Sequence, residues 1–282
     1  VRSRRHTGKF IFCRARNWLM NSSKAPISVC LIAGNEAARI RRTLESVSDW
    51  VSEMIVATDA GVTDGTEEIA MRCGAKIVRG PWKDHATNRN LAAANATQPW
   101  LLALDADEVV SPELRDEIVQ TIEAAQARPE TACAAYRFPR CTFFCERWIR
   151  HGDWYPDHVV RLWQRGRGRW EGITHEKLAI QGRTGKLNHD LLHYIAETIN
   201  DQIRKTAAFS DHFVQQAQVQ GKTARISDIM LRPFWRFLRS YLFRLGFLDG
   251  WQGCYIAWMT AFYTATRYAK LRVVQSQKTG NR

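Results

Sequence analysis

Four short apolar runs, each leading into a helical pattern, constrain this chain more than any other feature. Residues 27–33 (ISVCLIA) are a continuous apolar run rich in β-branched residues, as expected of a strand covered on both faces, and 54–58, 75–78 and 100–106 are three more largely apolar stretches. Between them the spacing predicts a helix over 38–51, where Ile40, Leu44, Val47 and Val51 recur every three to four residues. Further helices are expected over 64–72, ended by Gly74, and over 85–96. A fourth, over 112–127, opens with Ser111 as cap and Pro112 at the first helical position. Strand alternating with helix predicts an α/β fold: a mostly parallel sheet with helices on both faces. The 282 residues suffice for one large domain or two small ones.

Downstream the pattern changes. Residues 132–169 read as strands rich in aromatics and arginines, and from His193 onward the chain reads as helical. Amphipathic helices are expected over 201–220 and 226–248. The second sets Leu231, Phe234, Trp235, Leu238, Leu242 and Leu245 on one side and Arg232, Arg236, Arg239 and Arg244 on the other. The expected organisation is a basic extension over 1–24, an α/β domain over 25–200 and a basic, aromatic helical region over 201–282.

The formal charge of +13 resides at the ends. Residues 1–24 carry seven Lys/Arg and no acid, and residues 225–282 carry ten against Asp228 and Asp249. The body between them is close to neutral. The 225–282 stretch also holds 12 of the 30 aromatic residues, which points to an anionic membrane surface as partner, with RNA as the alternative. Nucleic acid is the less favoured partner, because the basic residues are expected to avoid the acidic strand ends. The apolar stretch over 251–265, interrupted by Gln252, falls short of the roughly 20 residues a span needs, so it is expected to lie on a membrane. The four-residue run over 10–13 is shorter than the about 7–15 of an export signal. Seven cysteines without a C-x-x-C pair predict free thiols in a reducing compartment, and exclude a zinc ribbon or disulfide framework.

In open α/β sheets ligands bind beyond the carboxyl ends of the strands, and here those ends are polar. Ala33 leads into Gly34, Asn35 and Glu36; the second strand leads into Asp59, and the fourth into Asp105, Asp107 and Glu108. Carboxylates so spaced make a place for Mg²⁺ or Mn²⁺, which prefer carboxylate oxygens and share coordination with substrate phosphates. Asp59 is placed to accept hydrogen bonds from a base or ribose. The chain has no G-x-x-x-x-G-K-[ST], no G-x-G-x-x-G after a strand and no G-x-S-x-G. P-loop, dinucleotide-binding and α/β-hydrolase readings therefore lack their signatures.

The segments ISVCLIAGNE, ATDAGVTDGT, HATNRNLA and LLALDADEVVSPEL, in this order, resemble the inverting family 2 glycosyltransferases of GT-A fold. HGDWYPDHVVRLW, GITHEKL, LLHY and GFLDGWQG narrow the resemblance to the branch that includes the lipopolysaccharide core β-glucosyltransferases, and it spans about residues 27–271. The resemblance implies a nucleotide-sugar donor, UDP-glucose, a membrane glycolipid acceptor, and a peripheral location on the cytoplasmic face of the inner membrane. It implies that Ala33, Asn35 and Glu36 contact the nucleotide, Asp59 the uracil, Arg89 the base and ribose, and Asp105 the ribose. Asp107 matches the ligand of a metal bridging the diphosphate, and His193 is expected to complete that site. Gly34 departs from the commoner Tyr or Phe, and Ala60 and Val62 stand where serines are usual.

An inverting transfer needs a base to deprotonate the acceptor hydroxyl. Glu176, about 70 residues beyond the Asp pair as the resemblance implies, is the expected base. Asp157 is the alternative, or it orients Arg161. His175 is expected to bind acceptor or orient the base, and Asp153 and Trp154 to line the acceptor site, where an aromatic ring can stack on a sugar.

Overall fold

The structure is a computed structural model that describes residues 24–172, 176–195 and 199–280. The basic extension expected over 1–24 lies, but for Lys24, outside the described residues. The four apolar runs form β1 (Ala25–Ile32), β2 (Val51–Thr58), β3 (Lys76–Arg79) and β4 (Trp100–Leu104), all parallel in the order β3-β2-β1-β4. The helices among and after them are α1 (Ile40–Glu45), α2 (Thr66–Arg72), α3 (His85–Ala94) and α4 (Pro112–Ala127).

Successive strand residues point to opposite faces, so each strand feeds two cores. Ile27, Val29 and Leu31 pack with Ile40 and Leu44 of α1, Ala70 of α2, and Leu114, Ile118 and Ile122 of α4. Cys30, Ile32, Ile55 and Leu101 face the other way, toward Ala86 and Ala92 of α3 and toward Trp163 and Trp170. Helices thus cover both faces.

The sheet continues with reversed direction. β5 (Glu108–Val110), β6 (Ala135–Phe144), β7 (Arg147–Ile149), β8 (Asp157–Gln164), β9 (Gly168–Glu171), β10 (Lys177–Ile180), β11 (Thr184–Lys186) and β12 (Leu191–Tyr194) follow in the chain. β8 runs antiparallel between β4 and β6, while β12 lies parallel to β6 and antiparallel to β5. The full order is β3-β2-β1-β4-β8-β6-β12-β5, with β7 and β11 also on β6; β9 and β10 form a separate hairpin.

Three helical expectations are corrected. The one over 38–51 is only α1, and β2 has already begun at Val51, which is paired with Ala25. Ser46 donates its hydroxyl to Thr43 O at 2.7 Å, and the Trp50 indole N–H donates to Ser46 O at 2.9 Å, so polar groups close a turn there instead. His193 starts no helix, because it lies on β12; α5 (Ile199–Val219) begins further on.

The helix expected over 226–248 is also shorter. α6 (Ile226–Leu238) passes into a π turn over Arg239–Phe243 and a 3₁₀ turn over Gly246–Asp249 before α7 (Gly250–Gly280). Gly253 and Gly246 meet so closely at this corner that a Cβ on Gly253 would collide with Gly246 O. α7 docks on the far end of the sheet through Ile256 against Phe144 and Ile149, and the Gln252 amide donates to Cys145 O at 2.9 Å. Among the described residues no helix is long and apolar enough to cross a membrane.

Candidate functional site

The loops after β1 and β2 are joined to each other. Asn35 Oδ1 accepts from Thr63 N at 3.0 Å, Glu36 N donates to Thr66 Oγ1 at 2.8 Å, and Asp64 accepts from Ala37 N at 3.0 Å. Ala33 is buried and donates its N–H to Ala57 O at 3.0 Å. Asn35 therefore fixes the shape of this ledge. Asp59 sits at its outer edge, with Oδ1 accepting from Gly61 N at 2.9 Å, and faces an open cavity of about 420 Å³ lined also by Arg79, Gly80, Pro81 and Trp82. A flat indole beside a carboxylate suits a planar, hydrogen-bonding ring. Trp82 was not singled out from sequence.

Beyond β4 the chain turns tightly, and Thr43 Oγ1 fixes that turn by donating to Ala106 O at 2.8 Å. Asp105 receives two guanidinium groups: Arg89 of α3 on Oδ1 and Arg161 of β8 on Oδ2, both at 2.5 Å. Burial alone would raise the Asp105 carboxyl, but Arg161 and Arg89 outweigh it and hold the group well below the usual carboxylate range. Arg161 also pairs with Glu108 Oε1 at 2.9 Å, and Arg140 of β6 reaches the same oxygen at 3.0 Å. Glu108 is fully buried and its Oε2 accepts from Asp105 N at 2.9 Å, so it braces the turn and is no part of a cation site. Four arginines, Arg39 included, reach the acidic strand ends, which corrects the expectation that basic residues avoid them.

Both expected base candidates touch this network. Glu176 Oε1 lies 3.5 Å from Arg89 Nε, one guanidinium away from Asp105. Arg89 is buried, its Nη1 has no hydrogen-bond partner, and its guanidinium lies 4.7 Å from the Trp170 ring centroid. Asp157 is paired with Arg140 at 2.7 Å, and not with Arg161 as sequence suggested, because Arg140 stands directly opposite it across β6 and β8. His175 lies outside the described residues.

Asp107 points to a different set of groups. His193 Nε2 and Arg39 Nη1 each lie 3.6 Å from its Oδ2, and Arg39 also pairs with Glu36 at 2.7 Å. Burial raises the Glu36 carboxyl, helped by the charges of Asp107 and Asp64 and opposed by Arg39. Lys205 of α5 is near enough to feel Asp107, while burial pushes its ammonium down. His193 is held through Nδ1, 3.3 Å from Thr142 Oγ1, which leaves Nε2 toward Asp107. Among the described residues no three His, Cys, Asp or Glu side chains gather around one ion position. A Mg²⁺ or Mn²⁺ held by two protein ligands, with phosphate oxygens filling other positions, fits an Asp–His pair at this separation.

The expected acceptor residues stand apart. Asp153 is mostly buried beneath Arg236, Arg239 and Arg244 at 3.4, 2.9 and 3.3 Å, and Trp154 packs edge-on against Phe144 at 5.3 Å. Arg140, Trp170 and Lys205 escaped the sequence reading, and Arg161 entered it only as a partner of Asp157; the density of arginine and aromatics over 132–169 was the one signal for Arg140. Cys141 is buried, and together with Cys145 it belongs to the β6 hairpin; no disulfide occurs among the described residues.

The chain belongs to glycosyl transferase family 2, whose family model matches residues 28–175. Its mixed, mostly parallel sheet with helices on both faces, followed by C-terminal helices, is of GT-A type. It is 28% identical over 262 residues to an uncharacterized glycosyltransferase of Rickettsia felis, covering 87% of this chain and 89% of that one. It is 27% identical over 266 residues to the lipopolysaccharide core biosynthesis glycosyltransferase LpsC of Rhizobium meliloti, covering 87% and 94%. Among solved structures, S. aureus TarS in complex with UDP is similar over 89% of this chain and 91% of that one, at 11% identity and a TM-score of 0.48.

Proposed function

We propose that this chain is an inverting, metal-dependent glucosyltransferase that moves glucose from UDP-glucose to a membrane glycolipid such as the lipopolysaccharide inner core. It works peripherally at the cytoplasmic face of the inner membrane, with residues 25–200 as catalytic unit and 201–282 as helical, membrane-facing region. Family membership and the likeness to LpsC support the reaction class and the acceptor. One observation carries the site: Arg89 joins Glu176 to Asp105 and keeps a buried, unpartnered Nη1, a donor left for a ligand, on the same strand end as the Asp107–His193 pair.

In this reading the ledge of Ala33, Asn35 and Glu36 and the Asp59–Trp82 cavity receive the nucleotide, and Asp105 with Arg89 receives the ribose. Asp107 and His193 would hold Mg²⁺ or Mn²⁺, which supplies positive charge to the departing diphosphate. Arg39 and Lys205 add cationic charge on the same side. Glu176 takes the proton from the acceptor hydroxyl, and the acceptor oxygen bonds to the anomeric carbon as the carbon–oxygen bond to the diphosphate breaks on the opposite face. The nucleoside diphosphate leaves with the bonding pair. Asp157 is the alternative base; Asp153, Trp154 and His175 are the proposed acceptor side.

Calorimetry with UDP, GDP, ADP and CMP, with and without Mn²⁺, tests the donor. Metal-dependent binding of UDP that Asp107→Asn removes is the expected result. Folded protein that binds none of the four, or transfers no sugar to a lipid-linked acceptor, sinks the proposal.

A further inference from the structure

We infer that the α6 face, the turns after it and the start of α7 form a docking surface for a bilayer containing anionic phospholipid. The inference rests on the glycolipid-acceptor reading for its purpose but not for its observations. α6 has no buried residue, and Leu231, Phe234, Trp235 and Phe243 are 54–68% exposed. These side chains belong to one surface. Trp235 meets Phe243 at 5.5 Å, while Phe237 meets Trp258 at 4.7 Å and Tyr241 at 5.4 Å, and Tyr241 meets Phe247 at 6.2 Å, so two aromatic clusters link α6 to both turns and to α7. Water-facing apolar area of this extent marks an interaction site.

Charge selects the occupant. Arg236, Arg239 and Arg244 crowd around the single carboxylate of Asp153, leaving an excess of positive charge beside the aromatic surface. Arg232, more than half exposed, is paired with Asp228 at 2.6 Å, so the excess of positive charge comes from the Asp153 cage. The core of a protein interface is depleted in charge, whereas arginine beside Trp and Phe is the pattern of a helix lying in the headgroup layer. At 13 residues α6 is about 20 Å long, suited to lying flat, and no described helix can cross. The Asp153 cage fixes this surface to the catalytic sheet through the 3₁₀ turn Gly152–Trp154, which leads into β8 and Arg161. A bilayer under α6 would therefore hold the site at a set height above its acceptor.

Flotation of the full chain with vesicles of phosphatidylcholine alone, or of phosphatidylcholine and phosphatidylglycerol at about 3:1, tests this. Wild type should float with the anionic vesicles, less so as salt rises. Leu231→Ser with Phe243→Ser, both at exposed positions, should lower binding at least about tenfold while UDP binding stays unchanged. Wild type that stays in solution, or a variant that floats equally, overturns the inference. So does light scattering that shows a dimer dispersed by the same substitutions without vesicle binding, since the face would then belong to a second copy. Vesicle binding without any nucleotide binding supports this surface and defeats the donor reading; nucleotide binding without vesicle binding does the reverse.

Discussion

Arg161 crosses from β8 to Asp105 at 2.5 Å and in doing so ties the last residues of the parallel half of the sheet to its antiparallel half. The same guanidinium holds Glu108, so one buried cation bridges two carboxylates within one turn, and Arg89 and Arg140 supply further positive charge.

Removing that cation should be costly. Arg161→Met leaves Glu108, fully buried, and Asp105 short of a partner, and is expected to lower stability by about 3–5 kcal/mol in urea unfolding. Arg161→Lys keeps a charge without the fork and should lose less. A Met variant as stable as wild type would show that Arg89 and Arg140 suffice.

Asp107 and Glu176 should fail in different ways. Asp107→Asn is expected to weaken metal-dependent nucleotide binding, seen as loss of the Mn²⁺-dependent thermal shift with UDP. Glu176→Gln should keep that shift and lose about 10²–10⁴ in kcat. If Asp157→Asn carries the larger loss in kcat, the base is Asp157.

How much of this was legible beforehand differs between the two halves of the sheet. β1, β2 and β4 and the polar residues after them were readable because each strand is a largely apolar run followed at once by its loop, and the edge strand β3, with exposed Lys76 and Arg79, still carries Ile77 and Val78 at its centre. The arginine framework was not, because Arg140 and Arg161 meet their carboxylates only through the pairing of β8 with β4 and β6. On sequence spacing Asp157 and Arg161 share one side of a strand, which made them look like partners. Register decided otherwise, by placing Arg140 opposite Asp157 and aiming Arg161 at β4.

Glu117 gives a pH prediction away from the site. On α4 it accepts from Asn188 N and His189 N, each at 3.0 Å, and from the His189 ring at 2.8 Å. Burial opposes these contacts, but they prevail and hold its carboxyl below the usual range. A depressed native value means stability present above about pH 4.5 and lost as pH falls through the native value. Glu117→Gln should therefore cost about 1–2 kcal/mol at pH 7 and progressively less as pH falls below about 4.5 through the native value, measured by urea unfolding across that range.

Two thiols should be inert in the native state. Burial pushes Cys30 up to about 12 and Cys141 up to about 11, so neither offers a thiolate at pH 8. Iodoacetamide labelling followed by mass spectrometry should find both unmodified until denaturant is added. Rapid native labelling of Cys30 would mean that the β1 core opens readily.

β12 lies beside β5 in the finished sheet, with His193 opposite Glu108 and Tyr194 N donating to Asp107 O at 2.8 Å. The aspartate leaves the ribosome well before its histidine. A nascent chain can thus complete β1 to β4 and their ledge while the Asp107 end stays half built, and it acquires both members of the pair only when the strand at Leu191–Tyr194 slots in. Truncation upstream of that strand would leave a chain with the Asp59–Trp82 cavity and no histidine, so during synthesis the outer edge of the site exists before its centre does.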